Sequence, residues 1–293
     1  MNIWITGSAG FLGQRLTQAF SSAGANVTGL SRRFTPIAAT SLQLDLGKVD
    51  SVQTIRQASS SVGAPDVVIH AAAKQPGAGS LAEFVQANVH TTFNLLQGLK
   101  ETPPKQVIYT SSISVYAPSV TLPAAENAPP VAPQPYAATK RWAEEVLQNW
   151  KESQVTVLRL PSMYGKGQAD SFIDGLARLA IRGEPIELFS RGELLRDALH
   201  VTDVVAAIVS CVNQPTVNQY SLMNLGCGRP ISTMEYAQAL IEQFNSTSQL
   251  IKSERVAPQQ NLWADISLAR RTIGFKPTEL RESLRTYGEE LRA

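Results

Sequence analysis

Asn2-Ile3-Trp4-Ile5-Thr6-Gly7-Ser8-Ala9-Gly10-Phe11-Leu12-Gly13 is the stretch on which the fold turns. Asn2 to Thr6 is short, apolar and rich in β-formers, the pattern of a buried parallel strand. Gly7, Gly10 and Gly13 follow at three-residue spacing, and Leu12, Leu16, Ala19 and Phe20 then keep helical period up to Ala23. A glycine turn between strand and helix presents bare N–H groups at a helix N-terminus, a geometry suited to a pyrophosphate. The triplet alone is equally compatible with a plain tight turn, so the later motifs have to decide.

Working outward, strand and helix signals alternate through the first 160 residues. Asn26–Leu30, Ser41–Asp45, Asp66–Ala71, Gln106–Thr110 and Val155–Leu160 read as further strands. Leu81–Leu99 and Tyr136–Lys151 read as long helices, and 117–135 as a proline-rich surface loop. Such alternation predicts an α/β fold, a Rossmann-type doubly wound parallel sheet with helices on both faces. Beyond Pro161 the pattern changes to mixed short elements. Helices are expected at Phe172–Ile181, Val201–Val212, Thr233–Phe244 and Leu280–Leu291, with a strand at Tyr220–Leu225. The expected organisation is a dinucleotide-binding domain at 1–160 and a smaller C-terminal α/β substrate lobe at 161–293, with some segments returning to the first core.

Composition narrows the function classes. Lysine plus arginine number 26 against 24 acids in 293 residues, and that balance gives no case for nucleic acid or a membrane surface as partner. No apolar run approaches the roughly 18 residues of a spanning helix. The first strand starts at once, with no signal peptide ahead of it, so a cytoplasmic enzyme is expected. Cys211 and Cys227 sit in no metal-like cluster, and no metal is expected.

The chemistry concentrates in two places. Thr110-Ser111-Ser112-Ile113-Ser114-Val115-Tyr116 ends the fifth strand, and Tyr136-Ala137-Ala138-Thr139-Lys140 opens the next helix. Tyr and Lys four apart share a helix face. A free phenol has a pKa of about 10, so ionising it near pH 7 takes roughly 4 kcal/mol. A lysine cation at about 5 Å supplies on the order of 3 kcal/mol at an effective dielectric near 20. Tyr136 is thus a candidate acid/base, Lys140 its electrostatic partner, and Ser112 the donor that orients the reacting oxygen. At the end of the second strand, Ser31 stands where an NAD enzyme usually has an acid, and Arg32 follows. A 2′-phosphate would meet a hydroxyl and a guanidinium there; a solvated arginine pair is the plain alternative.

T-G-x-x-G-x-x-G at the N-terminus, S-S-x-x-V-Y and Y-x-x-x-K together resemble the extended short-chain dehydrogenase/reductases, the nucleotide-sugar epimerase/dehydratase group. The resemblance spans nearly the whole chain. His70-Ala71-Ala72-Ala73 resembles that group's H-x-A-A, and Leu158-Arg159-Leu160-Pro161-Ser162-Met163-Tyr164-Gly165 its L-R-x-x-N-x-Y-G. Arg196-Asp197 through Asp203-Val204 is similar to its R-D-F-I-H-V-x-D-V. The resemblance implies cofactor contacts at Gly7, Gly10, Phe11, Leu12, Gly13, Ser31, Arg32, Asp45, Leu46, Ala71, Ala72, Tyr136 and Lys140. Asp45 would meet the adenine amine, or serve only as a turn acid. Substrate contacts would be Ser114, Ser162 and Arg196, the last facing a diphosphate, or else paired internally with Asp197 or Asp203.

By the same resemblance the chain is an NAD(P)-dependent oxidoreductase acting on a small molecule, a nucleotide sugar, with NADPH-dependent ketone reduction favoured. A 4-epimerase that retains its cofactor is the alternative, and a non-catalytic dinucleotide sensor a further one. NADP is the expected cofactor, with NAD possible. Ser162 in place of Asn, and Phe189-Ser190-Arg191-Gly192 in place of G-D-G, are departures in the substrate pocket. Ile113 and Ser114 stand where 4,6-dehydratases of the group carry Asp-Glu, which argues against elimination of water. A homodimer pairing helices 81–99 and 136–151 is also implied. Trp142, Val146 and Trp150 form one stripe of the second helix and Ala143 and Leu147 a neighbouring one; one stripe can cover the sheet and the other is left for a partner, or for the C-terminal lobe to cover.

Overall fold

The structure is a computed structural model that describes residues 1–132, 134–168, 171–257 and 259–292. It contains β1 (Asn2–Thr6), α1 (Phe11–Ser22), β2 (Asn26–Ser31), β3 (Thr40–Gln43), α2 (Ser51–Ser61) and β4 (Val67–His70). Next come α3 (Leu81–Phe84), a π-helical stretch Val85–His90, α4 (Thr91–Gly98), β5 (Gln106–Ser112), α5 (Pro135–Gln148) and β6 (Gln154–Leu160). After these follow β7 (Ser162–Tyr164), α6 (Phe172–Arg182), β8 (Ile186–Leu188), β9 (Leu195–Arg196), β10 (Ala198–His200) and α7 (Val201–Asn213). The chain closes with β11 (Tyr220–Asn224), β12 (Ile231–Ser232), α8 (Thr233–Phe244), β13 (Leu250–Lys252), α9 (Ser267–Ile273) and α10 (Leu280–Arg292).

Two compact units emerge from the packing: 1–117 with 129–159 and 205–223, and 118–128 with 160–204 and 224–293. The first carries a seven-stranded sheet in the order β11-β6-β5-β4-β1-β2-β3. Pairing is parallel at β3-β2, β2-β1, β1-β4 and β4-β5. The strand order therefore reverses between β1 and β4, the switch point at which α/β sheets bind ligands. Strand alternation sends Trp4, Val68, Val107 and Tyr109 to one face. There they join Ile55 of α2, Leu95 and Leu96 of α4, and Ala143 and Leu147 of α5 in one buried cluster. α1 buries Leu12, Leu16 and Phe20. In the second unit α6, α8 and α10 pack around Tyr164, Ile173, Tyr236, Leu240, Leu284 and Tyr287.

Three differences from the sequence reading have physical causes. α2 was not expected, because S-V-Q-T-I-R-Q-A-S-S-S offers little apolar period and serine competes with the helix for backbone bonds. Ile55 and Ala58 suffice once α4 covers them. The expected single helix over 81–99 is interrupted by the π-helical stretch 85–90, a distortion that often marks a functional site. Trp150 does not continue an outward stripe. It lies buried with Ala143 and Leu147, its indole N–H donating to Ser153 Oγ at 3.0 Å. Trp142 of α5, 40% exposed, and Phe93 of α4, 50% exposed, remain outward.

Candidate active site and cofactor cradle

The glycine turn sits on the switch point. Gly7 has φ +68°, and a Cβ there would lie 2.9 Å from the Ala72 backbone. A Cβ on Gly13 would lie 2.1 Å from the Gly7 carbonyl oxygen. Glycine is required at both, because the end of β4 and the first turn of α1 press against the loop. Gly10 N–H donates to Gly7 O at 2.8 Å and opens α1 without any side-chain cap. The first-turn N–H groups, those of Phe11, Leu12 and Gly13, are thereby directed at whatever occupies the turn. This cradle, too close-packed for a Cβ and ending in uncapped N–H donors, fits the pyrophosphate of a dinucleotide.

At the end of β2, Ser31 Oγ donates to the carbonyl of Arg33. The Arg33 guanidinium turns back over the glycine loop and donates to Ala9 O at 2.8 Å. Arg32 is exposed. Arg33 was not among the residues expected at the cofactor; only the curl of the chain after β2 aims it at the loop. Asp45 Oδ1 accepts from Gly47 N–H at 3.0 Å, an Asx turn, and Leu46 is buried with its carbonyl accepting from Asn94 Nδ2 at 2.8 Å. Ala71 and Ala72 are half-buried, and Ala72 N–H donates to Thr6 Oγ1 at 3.1 Å.

A hydrogen-bond chain fixes the protonation of His70. Thr92 Oγ1 donates to Asn88 O at 2.8 Å, so it accepts from His70 Nε2–H at 2.9 Å. Nδ1 then accepts from Thr6 Oγ1 at 2.7 Å. Burial, and next the charge of Lys140, push this imidazole down to about 3. His70 is neutral and structural. It ties β1 and β4 to the first turn of α4. Asn88, buried in the π-helical stretch, accepts from Lys74 N–H at 2.8 Å and donates to Thr139 Oγ1 at 2.9 Å, next to Lys140. Its bridge thus runs from a backbone N–H to a hydroxyl.

The end of β5 and the first turns of α5 bring Ser112, Tyr136 and Lys140 together. Pro135 stands at the first helical position, where its missing N–H costs nothing and its fixed φ starts the helix. Ser112 Oγ accepts from Ser114 N–H at 3.2 Å and lies 2.9 Å from Ser114 Oγ. Tyr136 is half-buried. Burial pushes its phenol up to about 12, and a hydrogen bond with Ser112 opposes the rise. Lys140 is buried, donates through Nζ to Thr110 O at 2.7 Å, and lies 4.7 Å above the Tyr109 ring. Burial pulls the Lys140 amine down to about 7, against the stabilising charge of Glu144.

Ser162 and Arg196 belong to the second unit. Ser162 is half-buried in β7, in register with Ala198 of β10. The Arg196 guanidinium is half-buried, 5.1 Å from the centre of the Phe172 ring, and burial pulls its pKa below the usual value. The internal ion pairs left open by the sequence do not form. Asp197 accepts from Cys227 N–H at 2.7 Å and Ala264 N–H at 3.1 Å. Asp203 accepts from the N–H and hydroxyl of Thr278. At the Phe189–Gly192 turn, Ser190 and Arg191 take left-handed backbone and Arg191 pairs with Glu254 at 2.9 Å. Among the described residues no group of three or more His, Cys, Asp or Glu is placed to hold a metal, and no helix is long and apolar enough to cross a membrane.

A glycine cradle lies at the switch point, and the chain is an NAD(P)-dependent enzyme of the short-chain dehydrogenase/reductase type. The family model for the NAD dependent epimerase/dehydratase family matches residues 3–226, and the chain belongs to that family. It is 27% identical to a UDP-glucuronate 4-epimerase from Thermodesulfobacterium geofontis, over 93% of this chain and 90% of that protein. It is 26% identical to a dTDP-4-dehydro-6-deoxy-D-allose reductase from Streptomyces sp, over 96% and 93%. Among solved structures, MoeE5 in complex with UDP-glucuronic acid and NAD superposes with a TM-score of 0.83 at 30% identity, covering 100% of this chain and 99% of that one.

Proposed function

We propose that the protein transfers a hydride at a hydroxyl- or ketone-bearing carbon of a nucleotide sugar, with NADPH-dependent ketone reduction as the leading direction. The observation that carries this reading is the placement of Tyr136 and Lys140 one helical turn apart on α5 beside the end of β5, where the Thr110 carbonyl accepts from Lys140 Nζ at 2.7 Å and Ser112 neighbours Tyr136. The dinucleotide supplies the hydride when bound, held by Gly7, Gly10, Phe11, Leu12 and Gly13 at its pyrophosphate. Ser31, Arg32 and Arg33 would face its adenosine ribose, Asp45 and Leu46 its adenine, and Ala71 and Ala72 its flank. Arginines in place of an acid at that ribose favour a 2′-phosphate.

Ser112 holds the substrate oxygen, and Ser114 steadies Ser112 from two residues away. Tyr136 gives its phenolic proton to that oxygen in reduction and takes it back in oxidation. The charge of Lys140 offsets the tyrosinate left behind. In the second unit, which we assign as the substrate lobe, Arg196 offers a half-buried guanidinium with no carboxylate partner among the described residues, suited to a diphosphate. Ile113 cannot transfer a proton and Ser114 is too weak an acid to replace a carboxyl, so dehydration is outside this site's reach. A 4-epimerase needs the same three residues, and the UDP-glucuronate 4-epimerases among the relatives favour it as the second reading.

The test is incubation with several nucleoside-diphosphate hexoses and their 4-keto derivatives, with and without NADPH, followed by product mass. Consumption of NADPH with a 4-keto sugar supports the reductase. Isomerisation at constant mass without net cofactor use supports the epimerase. A product lighter by one water overturns both.

A further inference from the structure

Three consecutive residues at the end of β5 hold three residues of α5 spaced one turn apart. Ser112 neighbours Tyr136, the Thr110 carbonyl accepts from Lys140 Nζ at 2.7 Å, and Ser111 Oγ donates to Glu144 Oε1 at 2.5 Å. The first two pairs belong to the reading above; the third has no part in it. Glu144 is fully buried and also accepts from Arg159 Nε at 3.0 Å and Nη2 at 2.7 Å. A buried ion pair one helical turn from a lysine is costly to desolvate, and an apolar pair would serve packing as well. Its placement gives it a use. We propose that Glu144 is a positioning residue whose carboxylate keeps the Lys140 amine charged and seated on the Thr110 carbonyl, so that Lys140 can act on Tyr136.

The surroundings of Lys140 leave this task to Glu144. β4 contributes His70, which is neutral; β5 contributes the Tyr109 ring and its buried hydroxyl; α5 contributes Tyr136, while Arg141 of α5 and Arg159 of β6 are paired with the Glu144 carboxylate. Tyr116, whose ring lies 4.8 Å from the Arg159 guanidinium carbon, and Tyr220 of β11 stand beside that ion pair. All of these are neutral or cationic at neutral pH except Glu144. A buried amine with no carboxylate near it sheds its proton. Residues four apart on a helix bring their Cβ atoms to about 5–6 Å, close enough for one charge to govern the other.

The proposal rests on the Ser112-Tyr136-Lys140 reading for its purpose, and its test is independent of turnover. Protein labelled with isotope at lysine is titrated by NMR, the Lys140 signal being assigned by its loss in Lys140→Met. In Glu144→Gln the midpoint should fall by about one pH unit, a tenfold drop in the ratio of charged to neutral amine, and Glu144→Asp should recover part of it. If Glu144→Gln does not fold because Arg159 is left unpaired, Glu144→Gln with Arg159→Met removes both charges, and a lowered midpoint is again expected. Once a substrate is in hand, the basic limb of the rate profile should move down with the midpoint. An unchanged or raised midpoint in a folded variant overturns the proposal. Failure of every sugar to turn over would instead strike the functional reading alone.

Discussion

Lys140→Met is the perturbation whose size follows most directly from the structure. Burial holds the Tyr136 phenol at about 12, so leaving it ionised at pH 7 costs roughly 7 kcal/mol without help. A unit charge about 6 Å away, the reach of residues one turn apart, returns on the order of 3 kcal/mol at an effective dielectric near 20. Removing it should slow the chemical step about 100-fold. Lys140→Met should also weaken cofactor binding, because the same amine is expected to meet the nicotinamide ribose. Tyr136→Phe should cost about 100- to 10,000-fold in rate while leaving cofactor affinity within about twofold. Single-turnover rates with NADPH and a 4-keto nucleotide sugar give the first quantity, and fluorescence titration of the cofactor the second. An undiminished rate in Tyr136→Phe, or a loss under threefold in Lys140→Met at pH 7, would refute the assignment.

Cofactor choice should follow the arginines: NADP(H) should bind about 10- to 100-fold tighter than NAD(H), the worth of a charge-assisted contact. Ser31→Asp with Arg32→Ala and Arg33→Ala should reverse the preference, and equal or tighter NAD binding by the unmodified protein would count against it. Light scattering at micromolar concentration should give twice the chain mass, and Phe93→Glu with Trp142→Glu, at the two exposed aromatics of α4 and α5, should halve it; a monomer before substitution would end the dimer argument. Acid should destabilise the protein through His70, whose folded value of about 3 lies below its ordinary 6.5. Because the unfolded chain takes up that proton first, stability should fall as pH drops from about 6.5 to about 3, by on the order of 3–5 kcal/mol, and level off below. Asp197, raised to about 6, acts with the opposite sign between about 4 and 6. Denaturant melts of His70→Gln across this range should show a flatter profile, and an unaltered slope would show that another group governs it.

Local sequence was enough for the features set by short-range physics. The strand-turn-helix of residues 2–22 needs only an apolar run, glycines where no Cβ fits, and a helical period after them. Ser112, Tyr136 and Lys140 were legible because four-residue spacing on a helix puts two side chains on one face whatever surrounds it. Other features depend on partners distant in the chain. α2 forms because α4 covers Ile55 and Ala58, not because its serines favour a helix. Trp150 turns inward where a stripe of apolar residues alone does not say which side meets the sheet. Arg33 reaches Ala9 across 24 residues, Asn88 reaches Thr139 across 51, and Glu144 meets both Ser111 and Arg159. Hydrogen-bond partners and charge pairs of this kind are chosen when parallel strands bring their ends to one edge of the sheet. Sequence spacing carries no record of that convergence, so the cofactor loop's arginine and the carboxylate behind Lys140 came only from the tertiary structure.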